Sequence, residues 1–428
     1  MVETIEIMPA AGPIHASVRP PGSKSITNRA LVCAALAKGS STLTGGLDSE
    51  DTRVMIAALR ALGIAVEVED DGRTLRVGGC DGRLPASRAE LFVANSGTTM
   101  RFLTAMAAIG HGEFRLDGVA RMRVRPIGDL VDALGQLGAK VECEGDNNCP
   151  PVVVRADGLS GGRATIRGDI SSQFLSGILM VAPYAKREVR LSVEGTLVSI
   201  PYVAMTEQVM ERFGASISAA ADHGEITVSI AQRYQAREFA IEPDASAASY
   251  FFAAAAITGG RITVEGLSRE SLQGDVGFCD CLEQMGAKVE YGADAISVEG
   301  GALRGIDVDM NAISDTVQTL AVTALFATGP TRIRNVAHIR HKETDRIGAT
   351  ACELRKLGPS VTEFEDGLLI EPRPLHGAEI DTYHDHRMAM SFALAGLRTA
   401  NVVIRDPGCV GKTYPRFFED LERVVRGG

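Results

Sequence analysis

One pattern recurs six times along the 428-residue chain: a small polar cluster runs straight into an alanine-rich apolar stretch that stops at glycine or a polar break. The clusters begin at Ser23, Asn95, Ser171, Asp244, Ser314 and His384, 70 to 76 residues apart. Ser, Asn and Asp suit helix N-termini because a side-chain oxygen accepts one of the first-turn N–H groups that the helix leaves unbonded. The spacing therefore predicts buried helices over 30–37, 102–109, 174–181, 250–257, 320–327 and 388–397. A second signal interleaves with the first: Leu, Met or Phe followed by Gly63, Gly138, Gly214, Gly286 or Gly358, then an alternating apolar/polar run. Glycine just beyond a helix supplies the left-handed C′ position, and the alternation reads as half-buried strand. Each unit then holds two helices and about four short strands, and a period this long demands a repeat architecture.

The sixth unit is incomplete, because its last helix, around 417–425, has no strands after it. Conversely, the strand-like pieces 4–8 and 14–19 have no helix before them. The economical expectation is that the N-terminal strands complete the sixth unit. The chain would cross at Pro20-Pro21-Gly22 and return near Glu242-Pro243, giving a discontinuous lobe, 1–22 plus 243–428, and a second lobe, 23–242. The expected fold is α/β, with three βαβαββ-like units in each lobe and a cleft between them. Two self-contained lobes suggest a monomer.

Composition narrows function by exclusion. A formal charge of -10 argues against a general nucleic-acid or membrane-surface protein. No apolar run approaches the ~18 residues a membrane span needs, and residues 1–6 lack a basic or apolar leader. Eight cysteines without a C-x-x-C pair suit reduced thiols in the cytoplasm. His384 and His386 alternate, but no cysteines or acids accompany them at metal-like spacing, so no metal is expected.

The cations of interest are local. Helix N-termini carry unbonded N–H groups and a positive dipole end, which makes them anion sites. Pro21-Gly-Ser-Lys-Ser-Ile-Thr-Asn-Arg29 places Lys24, Ser25 and Arg29 at one such start. Asn95-Ser-Gly-Thr-Thr-Met-Arg101 puts Gly97 where a ligand can approach the backbone, although a plain cap fits as well. Arg121, Arg123 and Arg125 alternate before Pro126 and are expected on one face of an extended segment. Ser171-Ser172-Gln173 offers neutral donors at the third start. Asp315 is either an N-cap or a base. Lys342-Glu343-Thr-Asp-Arg346 is either an internal salt-bridge cluster or an acid tuned by neighbouring cations. Arg387 opens the sixth helix. Gly411-Lys412-Thr413 falls short of a P-loop, since position 406 is Asp rather than Gly, but Lys412 suits a phosphate contact.

Taken together, P-G-S-K-S-x-T-N-R, N-x-G-T-x-x-R, R-x-R-P-I-G, S-S-Q-F, K-E-T-D-R, D-H-R-M-A-M and G-K-T-Y-P resemble, end to end, the 5-enolpyruvylshikimate-3-phosphate synthases of the enolpyruvyl transferase family. The resemblance implies the family's inside-out α/β barrel in each lobe and no cofactor. It implies transfer of the enolpyruvyl group of phosphoenolpyruvate (PEP) to the 5-hydroxyl of shikimate 3-phosphate, through a tetrahedral intermediate, in aromatic amino acid biosynthesis. The related transfer to UDP-N-acetylglucosamine is the alternative, although those enzymes usually carry Lys-Asn where this chain has Lys24-Ser25. Carried over by motif, Lys24, Ser25, Arg29, Ser171, Ser172, Gln173, Ser199, Tyr202, Asp315, His338 and Lys342 would hold shikimate 3-phosphate. Lys24, Asn95, Gly97, Arg125, Gln173, Arg346, Arg387 and Lys412 would hold PEP. Asp315, Glu343 and Lys24 would be catalytic, with Asp315 the base at the hydroxyl and Glu343 the acid at C3. With Gly97 retained, inhibition by the PEP mimic glyphosate is expected. Two departures from the family pattern stand out: Ala94, where many relatives have glycine, and His338, where some have asparagine.

Overall fold

A computed structural model describes residues 3–220 and 223–427. The chain divides into two compact units, 1–21 plus 242–428 and 22–241.

The six alanine-rich stretches are helices: Lys24–Leu36, Gly97–Ala108, Ser172–Val181, Ala245–Thr258, Val317–Thr323 and His386–Gly396. Every residue of Gly97–Ala108 and Ala245–Thr258 is buried. A helix apolar on all sides belongs inside a core, and in each unit the three such helices pack on one another. Five are capped by a side chain, from Ser23, Ser96, Ser171, Asp244 and Asp385. The expected starts at Asn95 and His384 are thus one residue early: the Asn95 side chain accepts from Arg125 and His384 pairs with Asp406 instead. The fifth start differs more: a 3-10 turn, Asn311–Thr316, runs directly into Val317–Thr323 with no side-chain cap. Asp315 therefore does not act as an N-cap.

The second helix of each repeat ends where predicted. Gly63, Gly138, Gly214, Gly286 and Gly358 all have φ between +85° and +116°, the left-handed position that stops a helix.

Each complete repeat makes a four-stranded sheet of fixed pattern. In the second repeat the order is Arg88–Phe92, His111–Asp117, Val152–Asp157, Lys140–Cys143. The first two strands are parallel, joined across the buried helix, and the last two form an antiparallel hairpin added to them. The first repeat borrows its outer parallel strand from Glu238–Ala240, at the end of the same unit.

The other unit corrects the expectation for the N-terminus. Thr4–Ile7 does pair antiparallel with Val402–Arg405 and completes the sixth sheet. His15–Val18 does not; it runs parallel to Arg261–Glu265 and opens the fourth sheet. The physical reason is the repeat itself. The fourth repeat has no outer parallel strand of its own, and His15–Val18 directly precedes that repeat in space, as its parallel register with Arg261–Val264 requires. Among the described residues no helix is long and apolar enough to cross a membrane, and all eight cysteines are free thiols.

Candidate active site

In the unit 22–241, the repeat pattern brings three helix N-termini to carry the polar motifs. Lys24 is the first residue of its helix, and its Nζ lies 3.6 Å from Asp51 Oδ2, a buried carboxylate in the first turn of Glu50–Ala61. Ser25 follows, and its carbonyl accepts from Arg29 Nη1 at 2.9 Å. Arg29 is only 2% exposed and bonds Thr206 Oγ1 at 2.7 Å and the Tyr202 carbonyl at 3.1 Å. Burial pulls its pKa down to about 10, with the Tyr202 side chain opposing the drop. Arg29 thus ties Ser25 to Tyr202. Ser199 precedes the helix Ile200–Arg212 in a left-handed conformation, φ 54°.

The second helix start centres on Gly97. Arg125 Nη1 bonds both the carbonyl and the side-chain oxygen of Asn95, at 3.0 and 3.2 Å. Arg101 Nη1 reaches Gln173 Oε1 at 3.1 Å, and Nη2 the Pro126 carbonyl at 3.2 Å. A Cβ on residue 97 would stand 2.5 Å from Arg125 Nη2 and closer still to Arg101 Nη1. Glycine is what lets two buried guanidiniums lie against this backbone. Gln173 also donates to Thr98 Oγ1 at 3.3 Å, so the amide bridges the second and third helix starts. Ser171 is the cap of its helix, accepting from Gln173 N at 3.3 Å, with Ser172 beside it in the first turn.

The segment 121–125 departs from expectation. It is a 3-10 turn over Met122–Val124, not an extended strand. Asp117 explains the bend: it takes Arg123 at 2.9 and 2.6 Å, drawing that arginine away from Arg125.

The other unit gathers acids and bases around Arg346. This guanidinium is 1% exposed. It bonds Asp385 at 2.7 and 3.2 Å, Glu343 at 2.8 Å and Asp315 at 3.1 Å. Burial opposes its charge, but Asp385, Glu343 and Asp315 outweigh burial and hold the pKa above the usual arginine value. Arg387 Nη2 takes the second oxygen of Asp315 at 2.6 Å, and Lys342 Nζ lies 3.8 Å from the first. Lys412 Nζ is 3.9 Å from Glu343 Oε1. Within the K-E-T-D-R motif Glu343 is thus salt-bridged to Arg346, and Asp315 joins the same guanidinium from outside the motif. His338 is buried, and burial followed by Lys342 pushes its pKa down to about 3, so the imidazole is neutral. Lys412 ends a 3-10 turn, Pro407–Lys412, and Gly411-Lys412-Thr413 forms no P-loop.

Among the described residues no cluster of three His, Cys, Asp or Glu side chains is arranged to hold a metal. What the geometry offers is charge. In each unit, cations held at fixed points face carboxylates or helix starts, and charge-assisted bonds of this kind contribute about 1.5–3 kcal/mol each.

Several contributors carry no role that the sequence motifs imply. Arg101 holds Gln173, Asp51 sits against Lys24, and Asp385 clamps Arg346. Asp275 is buried, bonded by Ser246 Oγ, and pushed up to about 6 by burial and then by Asp315. Asp51 is a first-turn acid and Asp385 a helix cap, positions where an acid is ordinary. Only Arg101 has a signal in the sequence, since the repeat offset of 72 residues aligns it with Arg29.

Comparison with known proteins bears on the family and the fold. A profile of the EPSP synthase family (3-phosphoshikimate 1-carboxyvinyltransferase) matches residues 9–421. The 3-phosphoshikimate 1-carboxyvinyltransferase of Nostoc punctiforme is 50% identical over 427 residues, covering 99% of this chain and 100% of that one. A chloroplastic relative of the same name from Nicotiana tabacum is 47% identical over 96% of this chain and 83% of its own. Among solved structures, an EPSP synthase of Acinetobacter baumannii superposes with TM-score 0.82 at 28% identity, covering 98% of both chains. The enolpyruvyl transferase NikO of Streptomyces tendae shares the fold, with TM-score 0.78 at 20% identity over 99% of this chain and 98% of that one. With a family profile matching residues 9–421 and a relative 50% identical over nearly the full length, the chain belongs to the EPSP synthase family.

Proposed function

We propose that this chain transfers the enolpyruvyl group of PEP to the 5-hydroxyl of shikimate 3-phosphate and releases inorganic phosphate. The observation that carries the reading is the Arg346 cluster, where two carboxylates, Asp315 and Glu343, share one buried guanidinium. The substrates bring two phosphates and two carboxylates, and the clustered cations suit them. In this reading Ser25, Arg29, Ser171, Ser172, Gln173, Ser199, Tyr202, Asp315, His338 and Lys342 hold shikimate 3-phosphate. Asn95, Gly97, Arg125, Gln173, Arg346, Arg387 and Lys412 hold PEP, and Lys24 serves both.

The chemistry is addition followed by elimination. The 5-hydroxyl oxygen bonds C2 of PEP while its proton passes to Asp315, and C3 takes a proton from Glu343. The tetrahedral ketal then breaks its C2–O bond to phosphate, C3 returns a proton, and the enol ether forms. The acid and the base exchange roles in the second half. Lys24, Arg387 and Lys412 stabilise the departing phosphate dianion, as fixed donors do most where charge develops. Neutral His338 fits a hydrogen bond to the substrate ring without adding charge. The protein works as a monomer in the cytoplasm, and glyphosate competes with PEP beside Gly97.

Phosphorus NMR tests the reading. PEP and shikimate 3-phosphate should convert to inorganic phosphate and a single new phosphate monoester, and Asp315→Asn should lower kcat by about 10²–10⁴, the usual share of a general base. An Asp315→Asn protein with full turnover would undo the mechanism. Absence of inhibition at millimolar glyphosate, with normal turnover, would undo the glyphosate assignment.

A further inference from the structure

The loop that leads into the helix His386–Gly396 holds two consecutive left-handed residues, Tyr383 and His384, each with φ 54°. Side chains with a Cβ resist this conformation, and a run of two persists only where the surroundings overdetermine it. One helix, Arg346–Lys356, supplies most of that determination. Arg346, at its start, grips Asp385 through two hydrogen bonds. Glu353 follows Arg346 by seven residues, about two turns, and so lies on the same helix face. Its side chain is fully buried. It accepts from the backbone N–H of Asp381 at 3.0 Å and from the Tyr383 hydroxyl at 2.7 Å. Lys356 balances the buried carboxylate at 2.7 Å and reaches Asp381 at 2.8 Å. From another direction, His384 Nδ1 lies 2.6 Å from Asp406 Oδ2.

We propose that Glu353 and Tyr383 are positioning residues for the transfer reaction: through the tyrosine hydroxyl, Glu353 locks the left-handed pair so that Asp385 meets Arg346. Asp385 also caps the sixth helix, accepting from Arg387 N at 2.9 Å. The lock therefore sets both arginines that hold Asp315. The inference rests on the reading that Arg346 and Arg387 serve PEP. Removing the hydroxyl frees the pair to relax toward right-handed conformers, Asp385 withdraws, and Arg346 keeps its charge but loses its aim.

Steady-state kinetics with PEP and shikimate 3-phosphate test this in the full-length protein. Tyr383→Phe, which keeps the ring, is expected to raise KM for PEP ~10-fold, the equivalent of one lost hydrogen bond, with a several-fold smaller rise in KM for shikimate 3-phosphate, which feels the change only through Asp315. Adding His384→Asn should recover most of that loss, since asparagine accepts the left-handed conformation more readily. Glu353→Gln should reproduce the PEP-selective effect in part, as the amide oxygen still accepts from Tyr383. A Tyr383→Phe protein with an unchanged KM for PEP would overturn the inference. So would parallel rises in both KM values together with a fall in Tm, or no recovery by His384→Asn. Wild-type protein without turnover would overturn the functional reading and this inference with it, whereas normal wild type beside an indifferent Tyr383→Phe overturns the inference alone.

Discussion

Replacing Gly97 with alanine puts a methyl group where two guanidiniums already stand. The new carbon would lie 2.5 Å from Arg125 Nη2 and nearer to Arg101 Nη1, while ordinary contacts between such atoms are about 3.5 Å. Each guanidinium must therefore retreat by roughly 1 Å. Neither has slack. Arg125 is tied to Asn95 at 3.0 and 3.2 Å, and Arg101 to Gln173 and the Pro126 carbonyl at 3.1 and 3.2 Å. A retreat of that size takes bonds of this length past the hydrogen-bond limit. Losing the aim of one charge-assisted contact to PEP costs about 2 kcal/mol, which is ~30-fold in affinity. Phosphate release at varied PEP and saturating shikimate 3-phosphate should show KM for PEP up by ~30-fold. Ser25, Arg29 and Tyr202 are tied to one another and not to Arg101 or Arg125, so the shikimate feels the change only through Gln173 and its KM should rise several-fold less than that for PEP. An unchanged KM for PEP would refute the reasoning, since it would mean that both arginines move without consequence.

Other expectations follow from the same structure. His338 titrates at about 3 in the folded protein against roughly 6.5 in an unfolded chain. The unfolded chain thus takes up the proton first, so this stability is complete above about pH 6.5 and falls as pH drops, by about 2 kcal/mol at pH 5. Urea unfolding of His338→Asn should lack that component of acid sensitivity; equal acid slopes for both proteins would contradict the assignment. Ala94 holds φ 47°, a left-handed position that disfavours any Cβ, so Ala94→Gly should raise stability by about 1 kcal/mol in the same assay; a loss would mean the conformation is not retained. Asp51→Asn should weaken Lys24, the residue read as serving both substrates, and raise both KM values rather than one; an effect confined to either substrate would contradict that shared role.

What the sequence shows of this fold is its period, because helix caps, apolar runs and terminal glycines are local signals. The glycines at 63, 138, 214, 286 and 358 carry the left-handed φ that their position demanded. What local signals could not place were partners distant in sequence. His15–Val18 looks like any short strand, and only pairing with Arg261–Val264 assigns it to the fourth sheet. The three arginines before Pro126 alternate in sequence, yet Asp117 bends the segment into a turn. The candidate site shows the same division. Glu343 and Arg346 are three residues apart on the chain, so one motif contains both. Asp385, 39 residues on from Arg346, completes the cluster but reads in sequence as a helix cap, which it also is.

Phosphate release from PEP, measured with shikimate 3-phosphate and with UDP-N-acetylglucosamine as alternative acceptors, tests the proposed reaction most directly. Release with the shikimate alone is the expected result. Release with the nucleotide sugar alone would keep the fold and the transfer chemistry but contradict the roles given to Ser25, Arg29 and Ser171–Gln173.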